Sequence, residues 1–266
     1  MLKQSGEEAL SMGDPFESAV RKIDRARNHA MELERQFHAF TVLPPYTTFT
    51  EPDPKIPENT VHKVRLARPL PDGLSEIAGD VIGNLRESLD HAVFAVAVAA
   101  AAGNRHPQNA YFPFSATAAR FEMNLKGRCA DVPQEIYTLL RSFEPYEGGN
   151  EILFALNKVA NLNKHALLVP IMAATFETGV SVRGTGYWSM PQPHIWDRAK
   201  NEMELFTNAP GTEFQGQITL AFSITLADIA VRHELSALGV IEIFLREVER
   251  VVSAIKSEAQ RLGFCQ

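Results

Sequence analysis

The feature that most constrains this chain is a change of character inside one helical stretch. Between Ser75 and His91, apolar and polar residues recur at helical spacing. From Ala92 to Ala102, eleven residues then follow with no polar side chain. A helix that is apolar all round is a buried one. Eleven residues also fall well short of the roughly 20 needed to cross a bilayer. The segment 73–103 therefore reads as one long core helix, ended by Gly103. Ile77, Val81, Leu85, Leu89, Ala92 and Val96 form its apolar side. Asp80, Asn84, Glu87 and His91, at i, i+4, i+7 and i+11, make a separate polar stripe, and Arg86 and Asp90 share another flank.

The rest of the chain can be read around that helix. Residues 1–13 read as a flexible tail, and Asp14-Pro15 as an N-cap with proline at the first helical position. The first helix runs to about Phe37, with Val20, Ile23, Ala26, Ala30 and Leu33 as its stripe. Thr41, Val42 and the run Tyr46 to Thr50 favour strands. Pro44, Pro45, Pro52, Pro54 and Pro57 confine those strands to sheet edges or loops. Thr60 to Ala67 alternates as a further strand. Residues 104–131 look irregular, Pro133–Ser142 helical, and Pro145–Asn150 a turn. A third apolar helix spans Glu151 to about Lys164. Strands are expected at Leu167–Met172, Phe176–Arg183, Glu202–Phe206 and Gln215–Ser223. Gly184-Thr185-Gly186 reads as a hairpin turn, and a last helix spans about Leu226 to Leu262. This order predicts a single α+β domain over 1–266: a bundle of about four long helices with an antiparallel sheet formed by inserted strands.

Composition narrows the function. The net charge of −6 gives no bulk electrostatic grip on nucleic acid, although a local basic site on an acidic body is compatible with it. Two distant cysteines, Cys129 and Cys265, make neither a disulfide scaffold nor a zinc-binding pair. A charged N-terminus without an apolar core predicts a cytoplasmic protein with no membrane partner. No phosphate-binding glycine loop and no nucleophile elbow is present, and no cofactor is expected. Tyr187, Trp188 and Trp196 are candidates for a binding surface on the sheet, or for cross-strand core pairs.

The third helix repeats the polar theme. Asn157, Asn161 and Lys164 run down one face, with His165 at the end. If it neighbours the 75–102 helix, amides, carboxylates, a lysine and two histidines meet inside the bundle. Buried polar groups need partners, so such a cluster is either a structural network or a site.

The segment Arg86-Glu87-Ser88-Leu89-Asp90-His91 resembles the Arg-(4 to 6 residues)-His signature of the HEPN superfamily. Members are helical-bundle proteins, often dimeric, and many are metal-independent RNases of toxin–antitoxin and phage-defence systems. The resemblance implies RNA as substrate, Arg86 as the group that holds the scissile phosphate, and His91 as general acid/base for attack by the 2′-hydroxyl. Guanidinium forks onto phosphate and imidazole titrates near neutral pH. Asp80, Asn84, Glu87, Asp90, Asn157, Asn161, Lys164 and His165 would form the substrate-binding or supporting network. Glu87 departs from the neutral polar residue usual at that position. Residues five apart on a helix point about 140° from each other, so this reading expects a homodimer packed through the 75–102 helix. The longer pattern from Gly79 to His91, followed by Asn157 to His165, also resembles an uncharacterised group of bacterial proteins. Two alternatives stand beside it. One is a non-catalytic interaction module, an antitoxin or defence-system subunit with a protein partner. The other is a metal-dependent hydrolase built on Glu87, His91 and His165, with Asp80 as a candidate further ligand.

Overall fold

The long helix forms as its spacing dictates. In the computed structural model it is Asp72–Ala101, named α2 here. Val81, Leu85, Leu89, Ala92 and Val96 are completely shielded from solvent. The structure describes residues 14–102, 106–162, 167–176, 181–191, 195–197, 199–215, 218–227 and 236–265. The expected tail over 1–13 lies outside them, as do Gly103, Lys164 and His165. The fold is mixed α+β. Helix α1 is Glu17–Thr41, β1 Tyr46–Pro52 and β2 Thr60–Leu66, all ahead of α2. Next come α3 (Ala118–Arg128), a 3-10 turn (Gln134–Ile136), α4 (Tyr137–Ser142) and α5 (Glu151–Ala160). Six strands follow: β3 (Leu168–Phe176), β4 (Ser181–Gly184), β5 (Trp188–Ser189), β6 (Glu202–Asn208), β7 (Thr212–Gln215) and β8 (Ile218–Leu226). Helix α6 (Ala237–Arg261) comes last.

Several boundaries differ from expectation for local reasons. Helix α1 reaches Thr41, one turn past Phe37, and the Thr41 hydroxyl donates to the carbonyls of Phe37 and His38. The strand therefore starts only at Tyr46, after the Pro44-Pro45 pair. Phe16 and Ala19 open the buried stripe of α1, whereas Val20 is exposed. The stretch read as irregular contains α3, capped by the Thr117 hydroxyl on the Arg120 N–H. That helix buries only Phe121 and Leu125, too few apolar positions to announce it. Helix α5 ends at Ala160, with Asn161 as its C-cap, and the expected continuation to Lys164 falls outside the described residues. Among the described residues the longest helices are α1, α2 and α6, of 25, 30 and 25 residues. Leu226 closes β8 instead of opening the last helix, because strand alternation continues through it. Ile229 and Leu235, placed on that helix by their spacing, lie outside the described residues.

Contacts divide the chain into two compact units. The first comprises the described residues of Met1–Asn28, Asp80–Asn161 and Ile241–Gln266. It is helical, and polar side chains tie its helices pairwise. Lys22 and Ser18 of α1 meet Glu87 and His91 of α2. Arg86 of α2 meets Asn157 of α5, and Asn150 before α5 meets Glu247 of α6. Arg27 and Asp14 pair with Glu249 and Lys256 of α6. Phe112, Phe114, Leu153, Leu156, Phe244 and Val248 are among its buried side chains.

The second unit comprises the described residues of His29–Gly79 and Leu162–Val240. Its four-stranded sheet runs in the order β1-β2-β6-β5, antiparallel throughout. Two further antiparallel ladders pair β3 with β8 and β4 with β7. Val64, Met203, Leu205 and Phe206 form a core against which Trp188 and Trp196 pack. Those two tryptophans therefore contribute to packing rather than to an open aromatic surface. Tyr187 is about half exposed, and its hydroxyl accepts from the Asn59 amide at 2.7 Å. The Gly184–Gly186 segment is not a simple hairpin turn, because β4 and β5 pair with different partners. A Cβ at Gly184 would strike the Gly211 carbonyl, so close backbone approach explains that glycine. Glu202, buried on β6, takes Arg65 and Lys63 of β2. Burial works to raise its pKa, but those two cations outweigh burial and hold the carboxyl below its ordinary value.

The start of α5 offers a simple test of local structure. Asn150 Oδ1 accepts from the N–H groups of Ile152 and Leu153, each at 3.1 Å, and its amide donates to Glu247 at 2.7 Å. Asn150→Ala is expected to cost about 1–2 kcal/mol, near the upper end for a lost N-cap. Asn150→Ser restores the capping oxygen and should recover most of that loss. Chemical denaturation of the three proteins measures both changes.

Candidate functional site

The polar residues of α2 meet two neighbours, the stripe facing α1 and the Arg86–Asp90 flank facing α5. Ser18 and Lys22 stand at i, i+4 on α1, and Glu87 and His91 stand at i, i+4 on α2. The two pairs meet rung by rung. Ser18 Oγ lies 2.7 Å from His91 Nδ1, and Lys22 is bonded to Glu87. The pairing of 18 with 91 and of 22 with 87 makes the two helices antiparallel here. On the other flank, Arg86 Nε donates to Asn157 Oδ1 at 3.3 Å, and its Nη1 stands 3.6 Å from Asp90 Oδ2. The Arg86 guanidinium also lies 5.6 Å from the centre of the Phe114 ring.

Asp90 stands between the two flanks. Its Oδ1 accepts the Phe112 N–H at 2.9 Å, which holds the segment after the long helix against α2. The same segment is pinned from its other side. Asp131 Oδ2 accepts from the N–H groups of Gln108 and Asn109, and the Tyr111 N–H donates to the Arg128 carbonyl. Burial is the largest influence on the Asp90 carboxyl and raises its pKa. The Phe112 N–H and the charges of Arg86, Arg128 and His91 oppose it without cancelling it.

This arrangement leaves a cavity of about 380 Å³. Ser18, Asp90 and His91 supply its polar groups, while Phe94, Ala95, Val98 and Tyr111 supply most of its apolar wall. The cavity also explains a departure from the expected burial. Within the apolar run of α2, Val93, Ala95, Val96 and Ala97 are buried, whereas Phe94 and Val98 are only half-buried because they face this space.

The chain matches no family model, and neither a curated protein nor a solved structure is significantly similar to it. Site chemistry therefore rests on the residues themselves.

The structure brings Arg86, Asp90, His91 and Asn157 into one region, with Asp90 between the two reactive side chains. His91 lines the cavity and Arg86 does not, in keeping with their five-residue separation. The remaining expected residues are less involved. Asp80 is exposed, and the amides of Asn84 and Asn161 donate to the carbonyls of Asp80 and Asn157 in their own helices. Glu87 is exposed and engaged by Lys22. Lys164 and His165 lie outside the described residues. Among the described residues no group of three His, Cys, Asp or Glu side chains is placed to hold a metal ion. Cys129 is buried and its thiol donates to the Tyr111 carbonyl; burial pushes its pKa up to about 12, which makes it a poor nucleophile.

Sequence reasoning missed Ser18, Phe94, Tyr111 and the Phe112 N–H. The one available signal was the matching i, i+4 spacing of Ser18-Lys22 and Glu87-His91, which a donor–acceptor ladder between two helices requires.

The raised pKa of Asp90 has a measurable consequence. The folded protein keeps a proton on this carboxyl at a pH where the unfolded chain has released it. Stability from this group is therefore full below the unfolded carboxylate value, about 3.9. It declines as pH rises from there through the folded pKa. Asp90→Asn retains an oxygen for the Phe112 N–H and removes the titration. Urea midpoints followed upward from about pH 4 should show a smaller acid-side decline for Asp90→Asn than for the wild type. Parallel curves would show that Asp90 is not the group responsible.

Proposed function

We propose that this chain is a metal-independent endoribonuclease of the HEPN type, acting through His91 with Arg86 in support. The observation that carries the reading is the His91 imidazole on the cavity wall, with Nδ1 held by the Ser18 hydroxyl. When Nδ1–H donates to Ser18 Oγ, Nε2 presents its lone pair and serves as general base. It takes the proton of an RNA 2′-hydroxyl as the 2′-oxygen attacks the adjacent phosphorus. The bond to the 5′-oxygen breaks, that oxygen takes up a proton, and the products end in a 2′,3′-cyclic phosphate and a 5′-hydroxyl. Arg86 supplies the charge that offsets the phosphorane, as its guanidinium fork suits.

Because Arg86 and His91 occupy different flanks of α2, a composite site between two copies of the chain is part of this proposal. One copy's Arg86 would then serve the other copy's His91. RNA is the proposed partner, and a toxin or phage-defence role is the proposed setting. A second reading is supported by the partners of Arg86. Its bonds to Asp90 and Asn157 form a tied network suited to a non-catalytic interaction module.

The test is incubation of purified protein with total RNA, with and without EDTA, beside Arg86→Ala and His91→Ala. Cleavage by the wild type, lost in both variants, is the expected result. No wild-type cleavage, or equal cleavage by all three proteins, would remove the ribonuclease reading and leave the interaction module. Cleavage abolished by EDTA would favour the metal reading.

A further inference from the structure

The cavity beside His91 has a shape and polarity that catalysis at a phosphate does not require. Its α2 wall rises from Asp90 and His91, past Phe94 and Ala95 one turn later, to Val98 a turn beyond. That is a rise of about 10 Å from a polar floor along an apolar shaft. Tyr111, about half exposed, forms part of the opposite wall. Among the described residues no lysine or arginine lines the space. On the Tyr111 side stands Arg128, whose guanidinium lies 5.9 Å from the centre of the Tyr111 ring.

We propose that this cavity binds a purine base of the RNA, with its amino-bearing edge toward Asp90 and its phosphate outside, toward Arg128. The proposal rests on the ribonuclease reading and adds the substrate feature that the site selects. Size is the first argument. A cavity of about 150 Å³ accepts a single benzene ring, so one of about 380 Å³ has room for a two-ring base and part of its sugar. Wall chemistry is the second. Phe94 and Tyr111 offer aromatic surface, on which bases pack. Charge is the third. A lining without cations disfavours a phosphate inside, whereas Arg128 beside the Tyr111 ring suits one at the mouth. Hydrogen bonding sets the orientation. An ionised carboxylate has about four acceptor positions, and the Phe112 N–H takes one of those on Asp90. Arg86 Nη1 stands 3.6 Å from Oδ2, and the acceptor positions left over suit the N–H donors of a purine edge. Uracil would present carbonyl oxygens there beside its one N–H.

AMP, GMP and UMP titrated into the wild-type protein, followed by protein-observed NMR, test the proposal. Saturable binding of AMP or GMP, at least tenfold tighter than UMP, is expected. Val98→Trp fills the shaft and should weaken purine binding at least tenfold. Tyr111→Ala changes a half-exposed side chain without threatening the fold and should also weaken it. Inorganic phosphate should not displace the nucleotide. No saturable purine binding in the millimolar range, equal binding of all three nucleotides, or binding indifferent to both variants would overturn the proposal. RNA cleavage is assayed separately. Cleavage without purine binding removes this inference and leaves the enzyme. Purine binding without His91-dependent cleavage leaves the pocket and removes the enzyme.

Discussion

Phe112→Ala is expected to destabilise the protein by about 3–5 kcal/mol, the range for emptying a buried phenylalanine site. The ring is fully shielded. It meets Phe114 edge-on at 4.8 Å and stacks toward Phe143 at 6.2 Å. Such aromatic pairs add about 0.5–1.5 kcal/mol beyond the area they bury. Loss on this scale is a large share of the 5–15 kcal/mol typical of a folded protein. For a chain of this size it corresponds to a fall in Tm of roughly 6–20 °C. The effect should also reach the site. The Phe112 N–H binds Asp90, and Phe114 lies beneath Arg86, so relaxation of this aromatic cluster loosens both partners of the polar network. Phe112→Leu retains most of the volume and should cost clearly less. Thermal and urea unfolding of the two variants measures the difference, and a Phe112→Ala loss under about 1 kcal/mol would contradict the packing described, since it is far below the usual range.

If the proposed ribonuclease reading holds, His91→Ala lowers the rate of RNA cleavage by about 10²- to 10⁴-fold, the usual contribution of a general acid/base. Stability should change little by comparison. The imidazole is half-buried and gives up one hydrogen bond, worth about 0.5–1.5 kcal/mol. This contrast separates chemistry from folding, because a variant with a native unfolding curve and no activity has lost a reacting group. Ser18→Ala provides the companion measurement. In the proposed mechanism Ser18 is a positioning residue, acting through the imidazole it meets at 2.7 Å. Its removal should reduce kcat more than it raises KM and should shift the pH profile of cleavage. A change in KM alone would assign Ser18 to binding instead.

How much of this was legible beforehand follows from the kinds of interaction involved. The length and burial of α2 could be read directly, because both depend on one residue after another along a single helix. The strands β1, β2, β6 and β8 were visible as β-branched and aromatic runs, and Pro44-Pro45 marked where β1 could begin. Helix α3 was not visible, since two buried residues give no periodic signal. The end of α5, capped by Asn161, was also missed, because the polar spacing of Asn157, Asn161 and Lys164 suggests a longer helix.

The site shows the same division. The sequence by itself placed Arg86, Asp90 and His91 on one helix and set the angle between the two reactive side chains. Both are consequences of 3.6 residues per turn. Only the tertiary structure decided what each of them faces. Ser18 lies 73 positions from His91 in the chain, Asn157 lies 71 from Arg86, and the Phe112 N–H lies 22 from Asp90. Such partners are chosen by how the helices and the segment before α3 pack, not by local propensity. Burial of Asp90 and the cavity beside His91 are likewise properties of that packing. In the folded chain the polar stripe reaches α1 through Glu87 and His91, and the separate flank of Arg86 and Asp90 reaches α5 through Asn157.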